Sequence, residues 1–238
     1  MIVRIGTAGW SIPAAFAAHF PTQGTNLERY AACFSAVEIN SSFYRPHRPA
    51  TYARWAASVG PDFRFAVKLP KAITHERRLV DIDDPLDRFV AEIAALGPKL
   101  GPVLVQLPPS LAFSAPIAET FFVRVRDRLA GSLACEPRHP SWFSAEADAL
   151  LVHHRIARVA ADPAPVPKAA EPGGWSGLAY FRLHGAPRIY WSEYGPGAVV
   201  AHAATVKART AASEVWTIYD NTASGAATRD AVRLRAFF

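Results

Sequence analysis

Only two cysteines, Cys33 and Cys135, occur in 238 residues, and each lies in an apolar segment. Two thiols cannot build a disulfide framework, so the plain expectation is a reducing, cytoplasmic setting. Lysine is also scarce, with 5 residues against 21 arginines. That bias reflects codon usage as readily as phosphate recognition, and it decides nothing alone. No uncharged apolar run reaches the roughly 18 residues a membrane span requires, so no membrane partner is expected. The opening "MIVRIGTAGW" enters a strand-like run at once, leaving no room for a signal peptide. Neither the P-loop nor the dinucleotide-binding glycine pattern is present, and no HxxxH or HExxH spacing marks a metal helix. No cofactor is expected on these grounds, and no 20–50-residue repeat is visible.

What is present is a chain 50% hydrophobic with net charge +6. Its core is large enough for a single domain over 1–238, and its charge favours an anionic partner. Strand-like runs fall near 2–6, 36–40, 63–69, 102–107, 132–136, 156–161, 178–184 and 214–219. Helical patterns fall near 26–34, 49–59, 85–97, 115–130, 144–154, 197–212 and 224–237. Eight strands with intervening helices predict an α/β fold, a (β/α)8 barrel of the triosephosphate-isomerase (TIM) type. One unit is irregular. The proline- and glycine-rich stretch 162–177 cannot make a regular helix and reads as a long loop over one barrel end.

Strand parity then sorts the side chains. Val37 and Ile39 oppose Glu38 and Asn40; Phe65 and Val67 oppose Ala66 and Lys68; Val105 and Leu107 oppose Gln106. Cys135 opposes Glu136, while Phe181 and Leu183 oppose Tyr180, Arg182 and His184. The apolar sets suit a helix layer. The other sets turn polar at their C-terminal ends, where barrel enzymes keep their active sites. Burying one of these charges unpaired costs several kcal/mol, so the groups must satisfy one another, a ligand or water. A ligand-free structural ion network is the bland alternative.

The expected site therefore comprises Glu38, Lys68, Gln106, Glu136, Arg182 and His184. Lys68 and Arg182 would hold a phosphate or carboxylate, and Glu136 would act as general acid or base. Glu38 would orient or share the proton, with His184 as a second proton carrier. A small phosphorylated substrate or a phosphodiester is the expected partner. Glu38, Glu136, His139, His184, Asp162 and Asp220 are ligand types for a divalent metal, but Lys68, Arg138 and Arg182 place cations among them. Paired carboxylates also suit glycoside hydrolysis. Aromatics at Trp10, Phe43, Tyr44, Trp142, Tyr190, Trp191 and Tyr194 could stack on sugars or bases. Basic charge with these aromatics leaves a non-catalytic nucleic-acid-binding barrel as the alternative class.

Seven stretches carry a family resemblance: "GTAGWSIP", "VEINSSFYRPH", "FAVKLPKAITHERRL", "LGPVLVQLPPSL", "EPRHPSW", "YFRLHG" and "YDNTASGAA". They resemble the YecE-like family, catalogued as domain of unknown function 72, essentially end to end. The resemblance implies a TIM-type barrel and no established activity. Its recurring positions fall here on Glu38, Asn40, Tyr44, Lys68, His75, Gln106, Glu136, Arg138, His139, Trp142, Asp162, Arg182, His184 and Asn221. Where the family tends to carry an Asn pair after the last strand, this chain has Asp220–Asn221. Likeness of such barrels to sugar isomerases and metal-dependent abasic-site endonucleases is an inference from fold alone.

Overall fold

The computed structural model describes residues 1–238. Ten strands run in order: β1 Ile2–Thr7, β2 Ala36–Ile39, β3 Arg64–Lys68, β4 Leu100–Gln106, β5 Leu133–Glu136, β6 Ile156–Arg158, β7 Ala160–Asp162, β8 Gly173–Gly174, β9 Leu178–Leu183 and β10 Glu214–Tyr219. Eight α-helices accompany them: α1 Asn26–Ala31, α2 Ser41–Tyr44, α3 Pro49–Ala57, α4 Asp83–Ile93, α5 Ala115–Arg128, α6 Ala145–His153, α7 Pro196–Lys207 and α8 Ala226–Arg235. The strands form two sheets, ordered β1-β10-β9-β7 and β2-β3-β4-β5-β6-β8, parallel throughout except for β8.

Each expected strand run contains a strand, but the sixth is divided. At Val159 the chain leaves the ladder with β5 and joins that with β9, so 156–162 serves both sheets. Along the other border β1 approaches β2. There the Tyr30 hydroxyl accepts from the Thr7 N–H at 2.8 Å and donates to the Ala36 carbonyl at 3.1 Å. One residue further a parallel bridge joins Ala8 to Glu38, and the Gly9 N–H donates to the Glu38 carbonyl. Gly6 faces this border because a Cβ there would strike the Ala36 carbonyl.

The stretch 162–177, expected as a long loop, packs Trp175 against the core formed by the inward strand faces and also makes the connection between β7 and β9. A parallel strand must restart at the opposite end of the sheet, so this segment is itself the crossover. It travels back to pair Gly173 and Gly174 with Arg158 and Ala157, and Arg158 donates to the carbonyls of Lys168 and Glu171. Helix signals were otherwise readable. Thr25 and Glu28 form a capping box on α1, and Ser144 caps α6. Helix α2 and the short turns at Ala72–Glu76 and Pro140–Phe143 lack the apolar period of a longer helix and were not foreseen.

Two cores follow from strand parity. Val37, Ile39, Phe65, Val67, Val103, Val105, Leu133 and Cys135 pack with helix residues such as Phe89, Phe121 and Phe122. The opposite strand faces meet in a smaller core drawn from both sheets: Ala36, Ala66, Leu104, Ala134 and Ala157 against Leu178, Tyr180, Trp216 and Ile218. Alanines on one sheet make room for the stacked Tyr180 and Trp216 rings of the other. The polar cluster lies further along these same faces.

Candidate functional site

Arg182, near the C-terminal end of β9, is fully buried and organises the cluster. Its Nε donates to Glu38 Oε2 at 3.1 Å and its Nη2 to Glu38 Oε1 at 2.7 Å. Nη1 reaches Glu136 Oε2 at 2.6 Å, and Nη2 also reaches Asp220 Oδ2 at 3.0 Å. One guanidinium thus binds three carboxylates carried by β2, β5 and the residue after β10. The Tyr180 hydroxyl completes the Glu38 shell at 2.9 Å.

Around this centre lies a second ring of contacts. Glu136 Oε1 forms an ion pair with Arg138 Nη2 at 2.5 Å and lies 3.0 Å from His184 Nε2, which Arg138 Nη2 also approaches at 3.0 Å. His184 Nδ1 faces Asp220 Oδ2 at 3.1 Å, and Asn40 Nδ2 donates to Asp220 Oδ1 at 3.4 Å. Burial alone would raise the Glu136 carboxyl, but Arg182, Arg138 and His184 hold it well below the usual range. Asp220 is likewise raised by burial and, more strongly, lowered by Arg182 and His184.

Lys68 differs from its neighbours. At 6% exposure its amine makes no hydrogen bond or ion pair, and the Nζ sits 4.2 Å above the Phe43 ring. Burial, with the Arg182 charge adding, brings its ammonium down to about 8, against the pull of Glu38, Glu136 and Asp220. A second unused donor, the Arg138 Nε, is buried without a partner.

Three expected roles change with this geometry. Arg182 cannot offer a fork to a substrate anion, because four of its five N–H groups already meet carboxylates. Glu136, pinned as an anion by three neighbours, is a poor proton carrier. Glu38 is closed off by Arg182 and Tyr180.

The remaining expected residues divide by position. Gln106 lies opposite Glu136 in the β4–β5 register and is partly exposed. Asn40 joins the cluster through Asp220. His75, bonded to Thr74, stands edge-on to Phe43 beside Lys68, and burial lowers its ring below the usual value. Tyr44 is 71% exposed against Phe43. His139 bonds Ser141 and caps the turn after β5. Asp162, at the end of β7, is raised by burial and stays partly exposed, and its carbonyl accepts from the His184 N–H. Two lie outside. Trp142 is buried against Phe113 and Phe122, its indole N–H bonded to the Leu111 carbonyl. Asn221 is buried and donates to Asp230 of α8 and the Ser192 carbonyl.

From sequence, Tyr180 has no role in the site, and Asp220 and Tyr190 enter only as a metal-ligand type and a stacking aromatic. Tyr180 shares the parity of Arg182 and could have been found. Tyr190 stands edge-on to His184 at 5.7 Å, in the left-handed region at φ 67°, which no strand or helix pattern announces.

These features define a class: an α/β protein of parallel sheets with a charged cluster at the C-terminal ends of its strands. The chain belongs to the family described as "Protein of unknown function DUF72", which it matches over residues 4–238. It is 33% identical over 172 residues to UPF0759 protein YecE of Escherichia coli (strain K12), covering 69% of this chain and 61% of YecE. It is 28% identical over 151 residues to UPF0759 protein YunF of Bacillus subtilis (strain 168), covering 60% of this chain and 53% of YunF. The matches thus span under two thirds of these relatives' lengths. A DUF72 family protein of Enterococcus faecalis V583 superposes with TM-score 0.84 at 21% identity, over 99% of this chain and 95% of that one. One from Thermotoga maritima MSB8 gives 0.81 at 24%, over 99% and 98%. The E. coli 3-keto-D-glucoside 4-epimerase YcjR gives 0.51 at 12%, over 100% and 98%.

Proposed function

We propose that the two sheets act as one (β/α)8-type barrel and that the cluster at its mouth is an enzyme site for a small anionic substrate, a phosphorylated metabolite or a phosphodiester. One observation carries the reading: Lys68 is a largely buried lysine whose amine makes no hydrogen bond or ion pair, beside three carboxylates that are all engaged elsewhere. Lys68 and the free Arg138 Nε are the groups left to receive an anion. His184 is the candidate proton carrier, its Nδ1 facing Asp220 and its Nε2 facing both Glu136 and, at 3.0 Å, Arg138 Nη2, contacts that orient the ring. Glu38, Arg182 and Tyr180 hold the framework. A divalent metal fits this mouth poorly, because guanidinium groups already occupy the oxygens it would need.

The direct test is calorimetric titration with inorganic phosphate and a simple phosphate monoester. Lys68→Met and Arg138→Met should each weaken binding at least tenfold. Unchanged binding in both variants overturns the assignment. Binding to oligonucleotides that falls steeply with salt, and without turnover, would instead favour a nucleic-acid-binding barrel.

A sugar-bearing substrate is the second reading. A hollow of about 260 Å³ beside Asn40 is lined by Gly9, Trp10, Ser11, Asn26 and Ser41. The buried Asn40 Oδ1 there lacks a partner. An indole with hydroxyl and amide groups suits a hydroxylated ring, in keeping with the fold likeness to an epimerase.

A further inference from the structure

On the outer helix layer, away from the mouth, three side chains converge between α5 and α6: Glu119, His153 and His154. One ligand atom from each lies within 4.8 Å of the others. We infer that they form a zinc-class metal site joining the two helices, with the remaining coordination positions open to water.

The closest pair is His154 Nε2 and Glu119 Oε2, 2.9 Å apart. Tetrahedral zinc with bonds near 2.0–2.2 Å sets its ligand atoms about 3.4 Å apart, so modest side-chain movement closes the set. Two imidazoles and a carboxylate select zinc-like ions over magnesium or calcium, which prefer all-oxygen shells. His154 is already fixed: it is buried, and its ring packs beside Phe122. His153 stands perpendicular to it at 4.8 Å, and Glu119 and His153 are both exposed, so an ion can enter. Both histidines lie at the C-terminal end of α6, where the helix dipole favours a cation. Arg126 also approaches this end. Its guanidinium donates to the backbone carbonyls of His154, Gly131 and Arg155, which directs its N–H groups to the main chain.

The test uses the full chain without a polyhistidine tag, stripped with chelator and titrated with zinc chloride in a calorimeter. One ion should bind per chain. Cobalt should give the intense visible bands of a low-coordinate site, and magnesium should give no heat. His153→Ala and Glu119→Gln change exposed side chains, leave the core packing intact, and should each weaken zinc at least tenfold. No binding by the unaltered chain at 100-fold molar excess overturns the site. So does wild-type affinity in either variant.

Discussion

Arg182 on β9 and Lys68 on β3, cations from different sheets, illustrate opposite uses of a buried charge. Arg182 satisfies three carboxylates, so Arg182→Met would leave Glu38, Glu136 and Asp220 buried without their common partner. Breaking a buried ion network by removing one member costs about 3–5 kcal/mol. Urea unfolding of the variant should show a loss of that size, and Arg182→Lys should not restore it, because an ammonium cannot reproduce the fork. Lys68 has the reverse effect. Free lysine titrates near 10.5, the buried one near 8, so between those values the unfolded chain binds the additional proton. Stability then rises with pH across that window. Lys68→Met should be more stable than the parent below pH 8, and the difference should shrink as pH climbs toward 10.5. A difference that stays flat with pH would mean the amine is not held as described. Parity along single strands was enough to place Glu38, Lys68, Glu136, Arg182 and His184 together. It could not say which of them would be used up by the others, because that depends on reach across the sheets.

Elements with a strong period were legible, and those defined by one or two residues were not. Helix α5 has Pro116 in its first turn and buries Phe121, Phe122 and Val125, so its sequence announces it. Helix α2 is one turn long, and the break at Val159 is a change of partner that propensity does not record. Helix α7 shows how an element's buried face produces a pH response. Its His202 packs edge-on to Phe181 and lies 3.0 Å from the Thr217 hydroxyl of β10. Burial takes its ring down to about 4 from the ordinary 6.5. Above pH 6.5 the ring is neutral in both states and costs nothing. As pH falls from 6.5 toward 4 the unfolded chain takes up a proton that the folded chain refuses, and stability is lost. His202→Gln should flatten the fall in stability between pH 7 and pH 5, measured by thermal or urea unfolding. An unchanged slope would place the response elsewhere.

At the scale of the whole molecule the question is how the two sheets behave as one body. Their shared inner core and the continuous segment 156–162 unite them on one side. On the other side the Tyr30 phenol stands between β1 and β2, which do not form a full ladder, and the Ala8–Glu38 bridge and the Gly9 bond to the Glu38 carbonyl follow one residue further. The sequence reading placed Tyr30 within a helical pattern and assigned it nothing further. Its role depends on β2 passing close enough for its hydroxyl to take both the Thr7 N–H and the Ala36 carbonyl. Tyr30→Phe keeps the ring in its aromatic setting with Phe34 and Phe63 and deletes only the oxygen. It would leave a buried donor and a buried acceptor unsatisfied, at a cost of about 1–3 kcal/mol. Hydrogen exchange should show faster loss of protection at Thr7 and its β1 neighbours than at β4 or β5. A border that serves both sheets also requires unfolding to remain a single transition with an unaltered denaturant slope. Full protection retained at Thr7 would show that this border is held by something other than the hydroxyl, and two separated transitions in Tyr30→Phe would show that the shared core and segment 156–162 do not by themselves unite the sheets.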